Sequence, residues 1–352
     1  MQLFTVGPVM MFPETLEESG KQLPYFRTDE FSSMMLDSER LLKDLLRTSQ
    51  DSKVAFLTAS GTGAMEAAVS NLFEPKDRVL IINGGGFGRR FEEICDVHSI
   101  PYDSVKLEFG ERLTRERLYA FGDNDYAALL VNIDETSTGQ LYDKRMLSEF
   151  CRSKGMYLVV DAISSFLADD IRMDEDGIDV VIISSQKALS LAPGISLVVM
   201  NGGIYRDRAE RIPSPGYYLD LKRHVVNQER GQTPFTPAVG ILINLNAMLH
   251  RIAEVGVDAK VARTAELSRY FREKAEAIGL RIPDYPLSNA VTPLVFDSGA
   301  RAIYEKLRDE YQITVTPSGG DLYDRVLRVG HIGNLDESDY DKLIEAFREV
   351  MG

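Results

Sequence analysis

The chain of 352 residues contains no tryptophan, four histidines and two cysteines. Two cysteines are too few for a disulfide framework or for a zinc site of four cysteine ligands, and we expect no bound metal. Cys95 and Cys151 each lie in a segment with the periodicity of an amphipathic helix. We therefore expect both residues to be buried, reduced thiols.

Positive charge is also scarce, since 40 Lys and Arg are outnumbered by 54 Asp and Glu, which gives a net charge of −14. Such an acidic chain argues against nucleic acid or an anionic membrane as the main partner. No apolar run approaches the roughly 18 residues that a membrane span needs. The first eight residues do not resemble a signal peptide. We therefore expect a cytoplasmic globular protein.

Short apolar runs bounded by turn-forming residues occur throughout the first 200 residues. They are hydrophobic along their whole length, which is typical of strands that are buried on both faces. Segments of helical periodicity lie between them, most clearly at 88–98, 111–121 and 143–154. This alternation predicts an α/β fold with a mostly parallel sheet. The predicted strands are 54–58, 78–82, 126–133, 157–162, 179–184 and 195–200.

The pattern changes after about residue 205, where segments rich in proline and glycine interrupt the chain. A long helical segment is predicted over 238–278, followed by short strands near 290–295, 312–316 and 326–330. The last segment, 336–351, is amphipathic, and Asp336 or Ser338 is the candidate N-cap. This part of the chain predicts a smaller α+β domain.

Ligands of open parallel sheets bind where strands end and helices begin. Ser60, Gly61 and Thr62 follow one predicted strand and open a helix, so their backbone N–H groups could hold a phosphate or form an ordinary capped turn. Phe87 stands alone in a glycine-rich turn, as a stacking surface or as a residue packed under the loop. The segment 132–139 places hydroxyl groups at a third strand end. Neither glycine-rich turn matches the dinucleotide or P-loop patterns.

Two further residues complete this set. Asp161 ends an apolar strand, where a carboxylate is unfavourable without a partner. Lys187 follows the next strand, a position usually taken by a surface lysine; Ser184 with Lys187 would suggest acyl transfer, but its partner motifs are missing. A phosphate-binding turn, an aromatic ring, a buried carboxylate and a lysine are the components of a pyridoxal phosphate site. There the lysine forms a Schiff base and the carboxylate keeps the pyridine nitrogen protonated.

The motifs, taken in order, resemble the class V aminotransferases of fold type I. They are most similar to the branch of alanine–glyoxylate, serine–pyruvate and 2-aminoethylphosphonate–pyruvate transaminases. The resemblance covers nearly the whole chain. It implies a large domain (16–240) with a seven-stranded, mostly parallel sheet between helices, and a small α+β domain (1–15 and 241–352). The matching segments are Val6-Gly7-Pro8, Arg27-Thr28-Asp29-Glu30-Phe31, Ser60-Gly61-Thr62-Gly63-Ala64, Glu135-Thr136-Ser137-Thr138-Gly139, Asp161-Ala162-Ile163-Ser164-Ser165, Ser185-Gln186-Lys187-Ala188-Leu189 and Leu327-Arg328-Val329-Gly330.

The resemblance also implies a role for each matching residue. Lys187 and Asp161 are the catalytic residues, and Arg328 and Arg27 are the candidates for binding the substrate. Gln232 and Thr233 would reach the cofactor phosphate of the partner in a homodimer. The other residues would contact the cofactor in the same chain: Ser60, Gly61, Thr62 and Gln186 at the phosphate, Phe87 and Ile163 on the two ring faces, and Thr136 near the ring hydroxyl.

The implied reaction moves an amino group from a small amino acid, of the alanine, serine or aminophosphonate type, to a small 2-oxo acid such as pyruvate or glyoxylate. The family often has histidine where Phe26 precedes Arg27, and also where Asn132 stands, three residues before Glu135. Both positions lie near the expected substrate pocket, so no particular substrate is named. A lyase or decarboxylase on the same fold is an alternative, although a cysteine desulfurase would need a mobile thiol. A nucleotide-binding protein without catalysis is a further alternative.

Overall fold

A seven-stranded sheet lies at the centre of the structure, a computed structural model that describes residues 1–122 and 124–351. The strands along the described chain are β1 (Gln2–Leu3), β2 (Lys53–Leu57), β3 (Val79–Asn83), β4 (Tyr102–Lys106), β5 (Ala128–Asn132), β6 (Asp134–Glu135), β7 (Gln140–Leu141), β8 (Tyr157–Asp161), β9 (Val180–Ser184), β10 (Ser196–Met200), β11 (Val291–Val295), β12 (Ile313–Thr314), β13 (Thr316–Pro317) and β14 (Val326–Gly330).

Helices pack on both faces of this sheet and around the C-terminal part of the chain. They are α1 (Pro13–Ser19), α2 (Asp29–Leu46), α3 (Gly61–Leu72), α4 (Gly86–Val97), α5 (Arg115–Tyr119), α6 (Lys144–Lys154), α7 (Gly202–Ile204), α8 (Leu221–Gln228), α9 (Val239–Val255), α10 (Val257–Ala277), α11 (Ala300–Tyr311) and α12 (Glu337–Met351). No helix among the described residues has the length and apolar character that crossing a bilayer requires.

The strand order of the central sheet is β2-β10-β9-β8-β5-β3-β4. Strand β10 is antiparallel to both of its neighbours, and the other six strands run in one direction. One hydrophobic core joins the sheet to α2, α5, α6 and α9, and a second joins the opposite face to α3, α4 and α8. The predicted α/β fold with a mostly parallel, seven-stranded sheet is confirmed.

Strand β4 was not expected from the sequence because its residues, Tyr-Asp-Ser-Val-Lys, are not continuously apolar. It lies at the edge of the sheet and pairs with β3 alone, so most of its side chains are only partly buried. An edge strand has a neighbour on one side only, and it therefore tolerates polar residues that a central strand excludes.

Two predicted helices differ from the observed ones. The helix expected over 111–121 is wrong in its first turn, because α5 begins only at Arg115, where the Thr114 side chain accepts the N–H of Arg117. The helix expected over 238–278 is two helices, α9 and α10, separated by Gly256. The φ angle of Gly256 is +91°, a backbone conformation that glycine adopts readily and that ends an α-helix.

The C-terminal residues form a smaller structure with its own hydrophobic core. Strands β11, β14 and β13 form an antiparallel sheet, and β1 pairs with β12, so the first residues of the chain join this part. Helix α12 starts where Asp336 accepts the N–H of Ser338, which makes Asp336 the cap of the two candidates. The domain boundaries at residues 15 and 240 stay a prediction.

Candidate active site

One cavity at the carboxyl edge of the central sheet collects nine of the residues predicted to form the site. Strands β2, β3, β5, β8 and β9 all end at this edge because they run in the same direction, which brings together segments far apart in the sequence. Two residues that sequence reasoning missed, Arg90 and Ser164, also line it. The predicted residues of the lining are Ser60, Gly61, Thr62, Phe87, Thr136, Asp161, Ile163, Gln186 and Lys187.

The first wall of the cavity is the beginning of α3. The Ser60 hydroxyl accepts the N–H of Gly63 at 3.4 Å and caps the helix. A Cβ atom at Gly61 would lie only 2.4 Å from Cδ1 of Ile163, so a glycine is needed for the helix to approach that side chain. The unpaired N–H groups of a helix N-terminus favour a bound anion. Gln186 lies nearby and accepts the Ser184 hydroxyl at 2.6 Å, which leaves the donors of its amide for a ligand.

The second wall carries Phe87, and its position depends on Glu135. The N–H groups of Phe87 and Gly88 donate to the two carboxylate oxygens of Glu135 at 3.2 and 2.8 Å. A carboxylate is favourable there because it meets the positive end of α4. A Cβ atom at Gly85 would lie 2.2 Å from Oγ of Ser137, so the turn needs glycine to come this close. The sequence showed Glu135 as part of a motif without indicating this contact.

The floor of the cavity contains the carboxylate of Asp161, which is 6% exposed. Its Oδ1 accepts the N–H of Ile163 at 2.8 Å, and its Oδ2 accepts Nδ2 of Asn132. Burial raises the pKa of Asp161 from 3.8 to about 6, while these two hydrogen bonds and the charge of Lys187 act in the opposite direction. The site therefore contains a largely ionised carboxylate at neutral pH.

Lys187 follows β9 and faces this carboxylate. Burial lowers its pKa from 10.5 to about 8, and the charge of Arg328 lowers it further, whereas Asp161 favours the ammonium form. The N-terminal segment covers the lysine, since a Cβ atom at Gly7 would lie 2.6 Å from Cδ of Lys187. A lysine with this pKa has an appreciable neutral fraction near pH 7, and only the neutral amine is a nucleophile.

Arg328 reaches the edge of the cavity from β14 in the C-terminal part of the chain. Its Nη1 donates to the carbonyl oxygen of Thr136 at 3.0 Å and its Nη2 to that of Pro317 at 3.1 Å. Within 1–122 and 124–351, its buried Nε has no hydrogen-bond partner. Burial lowers the pKa of Arg328 from 12.5 to about 10, and the negative charges of Glu135 and Asp134 oppose that shift. This buried donor is suited to an anionic ligand.

Three of the predicted residues lie elsewhere and contact one another. Nη1 of Arg27 donates to Oε1 of Gln232 at 3.0 Å and to the carbonyl oxygen of Thr233 at 2.7 Å. The amide of Gln232 also donates to the hydroxyl of Ser32 at 2.6 Å. The structure does not bring this group into the cavity of Lys187 in the same chain. The roles of Arg27, Gln232 and Thr233 stay predictions.

The two cysteines are buried and free, as the sequence predicted. Cys95 lies in α4 and Cys151 in α6, and neither lines the cavity of Lys187. Burial raises the pKa of the Cys95 thiol to about 12 and that of the Cys151 thiol even more. Both therefore remain protonated thiols, unsuited to the sulfur transfer that a cysteine desulfurase performs.

The residues of the cavity fit pyridoxal phosphate. A helix N-terminus can hold the phosphate, Phe87 and Ile163 lie on the walls, Asp161 lies on the floor and Lys187 can bind the aldehyde carbon. The buried Nε of Arg328, whose guanidinium also bonds to the carbonyl oxygen of the lining residue Thr136, has no partner in the described part of the chain. Unpaired buried polar atoms are uncommon in folded proteins and are expected where a ligand belongs.

Fold and site together define a pyridoxal-phosphate-dependent enzyme of fold type I. The chain belongs to the class V aminotransferase family, whose model matches residues 23–321. Its cofactor is accordingly pyridoxal phosphate, and the predicted aminotransferase class is confirmed.

Curated relatives and solved structures match over nearly the full length. The chain is 27% identical to L-aspartate–glyoxylate aminotransferase of Paracoccus denitrificans, over 96% of this chain and 87% of the relative. It is 28% identical to alanine–glyoxylate aminotransferase of Felis catus, over 98% and 86%. A crystal structure of a subgroup IV aspartate aminotransferase from Thermus thermophilus superposes with a TM-score of 0.92 and 29% identity, over 100% of this chain and 99% of that chain.

Proposed function

We propose that this aminotransferase transfers the amino group of a small amino acid, of the alanine, serine or aminophosphonate type, to a small 2-oxo acid such as pyruvate or glyoxylate. The observation that carries the proposal is Lys187, a buried amine of lowered pKa that lines the same cavity as the carboxylate of Asp161. The named relatives support the choice of acceptor, since two of them use glyoxylate.

The bound cofactor supplies an electron-accepting pyridine ring. The side chains do the rest. Asp161 would hold a proton at the ring nitrogen, because a buried carboxylate favours a positive charge next to it. Nζ of Lys187 would bind the aldehyde carbon of the cofactor, and as a neutral amine it would take the proton from the Cα atom of the substrate as a general base. Phe87 and Ile163, which line the cavity, would pack against the ring.

The substrate carboxylate would bind to Arg328. Two of its nitrogens are held by backbone carbonyl oxygens, so the guanidinium plane is fixed before the substrate arrives. The unpaired Nε then provides a charge-assisted hydrogen bond at no cost of breaking an existing one. For a substrate that carries an α-carboxylate, this arrangement would orient the Cα–H bond relative to Lys187.

Replacement of Arg328 by alanine is expected to raise KM for every amino acid donor, because the substrate carboxylate loses a largely desolvated cationic partner. The loss in binding free energy should be about 2–5 kcal/mol. Arg325→Ala is the matched control, since Arg325 immediately precedes β14, the strand of Arg328, but is exposed to solvent. Steady-state kinetics with several donors measure both effects. An unchanged KM in Arg328→Ala would contradict the carboxylate-binding role.

Absorption spectroscopy tests the proposed reaction directly. The side chains of a protein do not absorb visible light, so the visible band of the bound cofactor is easily followed. A donor such as alanine or serine should bleach the band to that of the pyridoxamine form, and pyruvate or glyoxylate should restore it. A band that persists with every small donor would count against transamination and favour lyase chemistry. Failure to take up pyridoxal phosphate would contradict the whole proposal.

We further propose that the enzyme acts as a homodimer. Leu23 and Tyr25 are 50% and 69% exposed, and they shortly precede Arg27, which contacts the segment of Gln232 and Thr233. Exposed apolar side chains near a partly buried polar cluster are typical of a protein–protein interface. Sedimentation equilibrium should give twice the mass of the chain, and a monomer at micromolar concentration would contradict the assignment. The cytoplasmic location stays a prediction.

A further inference from the structure

The last residues of β5 and β8, Asn132 and Asp161, are directly paired across neighbouring parallel strands. Residues paired in this way point to the same face of a sheet. The side chains meet there, with Nδ2 of Asn132 donating to Oδ2 of Asp161. Asn132 is 2% exposed and Asp161 is 6% exposed. The backbone of the sheet therefore holds the Asn132 amide against the Asp161 carboxylate on the cavity floor.

Packing alone does not explain an asparagine at this position. Its Oδ1 is buried and has no hydrogen-bond partner in the described part of the chain. An unpaired buried carbonyl oxygen destabilises the folded state, and an aliphatic side chain of similar size would avoid that loss. The remaining four residues of β5 are apolar and buried, as expected for a central strand. What Asn132 adds is a hydrogen-bond donor directed at Asp161.

We propose that Asn132 is a positioning residue, which keeps Asp161 anionic and fixes its orientation toward the ring nitrogen of the cofactor. The inference rests on the proposed function. Asn132 and the N–H of Ile163 each bond to one carboxylate oxygen, so the carboxylate plane is held at both ends. Donors to the charged form oppose the effect of burial, which raises the pKa of Asp161 to about 6.

Two other charges act on Asp161. Lys187, after β9, favours the carboxylate, and Glu135, after β5, disfavours it. Both remain in place when Asn132 is changed, so a shift in titration can be assigned to the lost donor. Binding of the protonated ring requires an anionic partner, so the affinity for the cofactor should fall at low pH, where Asp161 becomes protonated. We call this fall the acid limb of the binding curve. A higher pKa of Asp161 must move the acid limb to higher pH.

The test is the pH dependence of pyridoxal phosphate binding to the cofactor-free protein, measured by absorbance after equilibrium dialysis. Asn132→Leu removes the donor with little change of volume and should move the acid limb upward by about one pH unit, equivalent to about tenfold weaker binding below it. Asn132→Asp replaces the donor with a second acidic group and should move the limb further in the same direction.

The matched control is Asn244→Leu, which removes another buried amide, on α9, whose Nδ2 donates to the hydroxyl of Ser19 at 2.9 Å. The thermal stability of Asn244→Leu should fall, while the acid limb of its pyridoxal phosphate binding should stay at the wild-type pH. If both Asn132 variants weaken binding equally at every pH, or leave it unchanged, the proposal is wrong and the proposed function stands. If the wild-type chain takes up no cofactor at any pH, both are wrong.

Discussion

Replacement of Lys187 by alanine is expected to abolish turnover and the covalent attachment of the cofactor. The lysine is the only ammonium group that lines the cavity in the described ranges, and no neighbouring side chain there can substitute for it as an amine nucleophile. Mass spectrometry after borohydride reduction should find the cofactor on the peptide that contains Lys187 in the wild type and on no peptide in the variant. Full activity in Lys187→Ala would contradict the assignment of the site.

Lys260→Ala is the matched control for this variant. Burial also lowers the pKa of Lys260, but this lysine lies on α10 between Arg251 and Arg263 rather than at a strand end of the central sheet. Its loss should leave attachment and turnover near their wild-type values. Attachment in the wild type should accelerate as the pH rises through about 8, because half of Lys187 is neutral at its pKa, the neutral fraction grows further above it, and only the neutral amine attacks.

Asp161→Asn is expected to lower kcat by several decades while the chain remains folded. The variant keeps the shape of the side chain, and its amide oxygen can still accept the N–H of Ile163. It removes the negative charge that holds a proton at the ring nitrogen, and without that proton the ring is a weaker electron acceptor. The single-turnover rate of the amino-donor reaction, followed by absorbance, measures this effect separately from product release.

Asp179 provides a matched control, since its carboxylate also accepts a backbone N–H, from Leu158 at 2.7 Å, and an asparagine side chain, from Asn201 at 2.6 Å. Burial raises its pKa as well, but it does not line the cavity of Lys187. Asp179→Asn should reduce stability without a comparable loss of the single-turnover rate. A rate for Asp161→Asn close to that of the wild type would show that the pyridinium role is wrong.

Local patterns predicted most of the central fold. Continuously apolar strands mark positions buried on both faces, and this signal needs only a few neighbouring residues. The same approach missed β4, because a strand at the edge of the sheet is exposed to solvent and carries polar residues. Sequence periodicity also predicted α9 and α10 as one helix, because the helical pattern continues on both sides of Gly256. The positive φ angle of that glycine, which ends α9, is not visible in the pattern.

The candidate site was predicted unevenly for a similar reason. Asp161 is the last residue of β8 and Lys187 comes three residues after β9, so their position at the edge of a parallel sheet follows from the strands alone. Arg90 was missed because it lies within α4, one helical turn after Phe87, where an arginine is usually a solvated residue. Glu135 was seen as part of a motif, but its contact with the turn of Phe87 spans 47 residues.

The sequence by itself determined the class of fold, the strand ends that carry the chemistry, the burial of both cysteines and the resemblance to class V aminotransferases. Only the tertiary structure decided that Asn132 pairs with Asp161, that Arg328 of β14 bonds to Thr136 next to the cavity, and that Arg27 contacts Gln232 instead. The physical reason is that residue type and periodicity describe short stretches of chain. Contacts such as these depend on strand order and register, which are set by packing between segments far apart in the sequence.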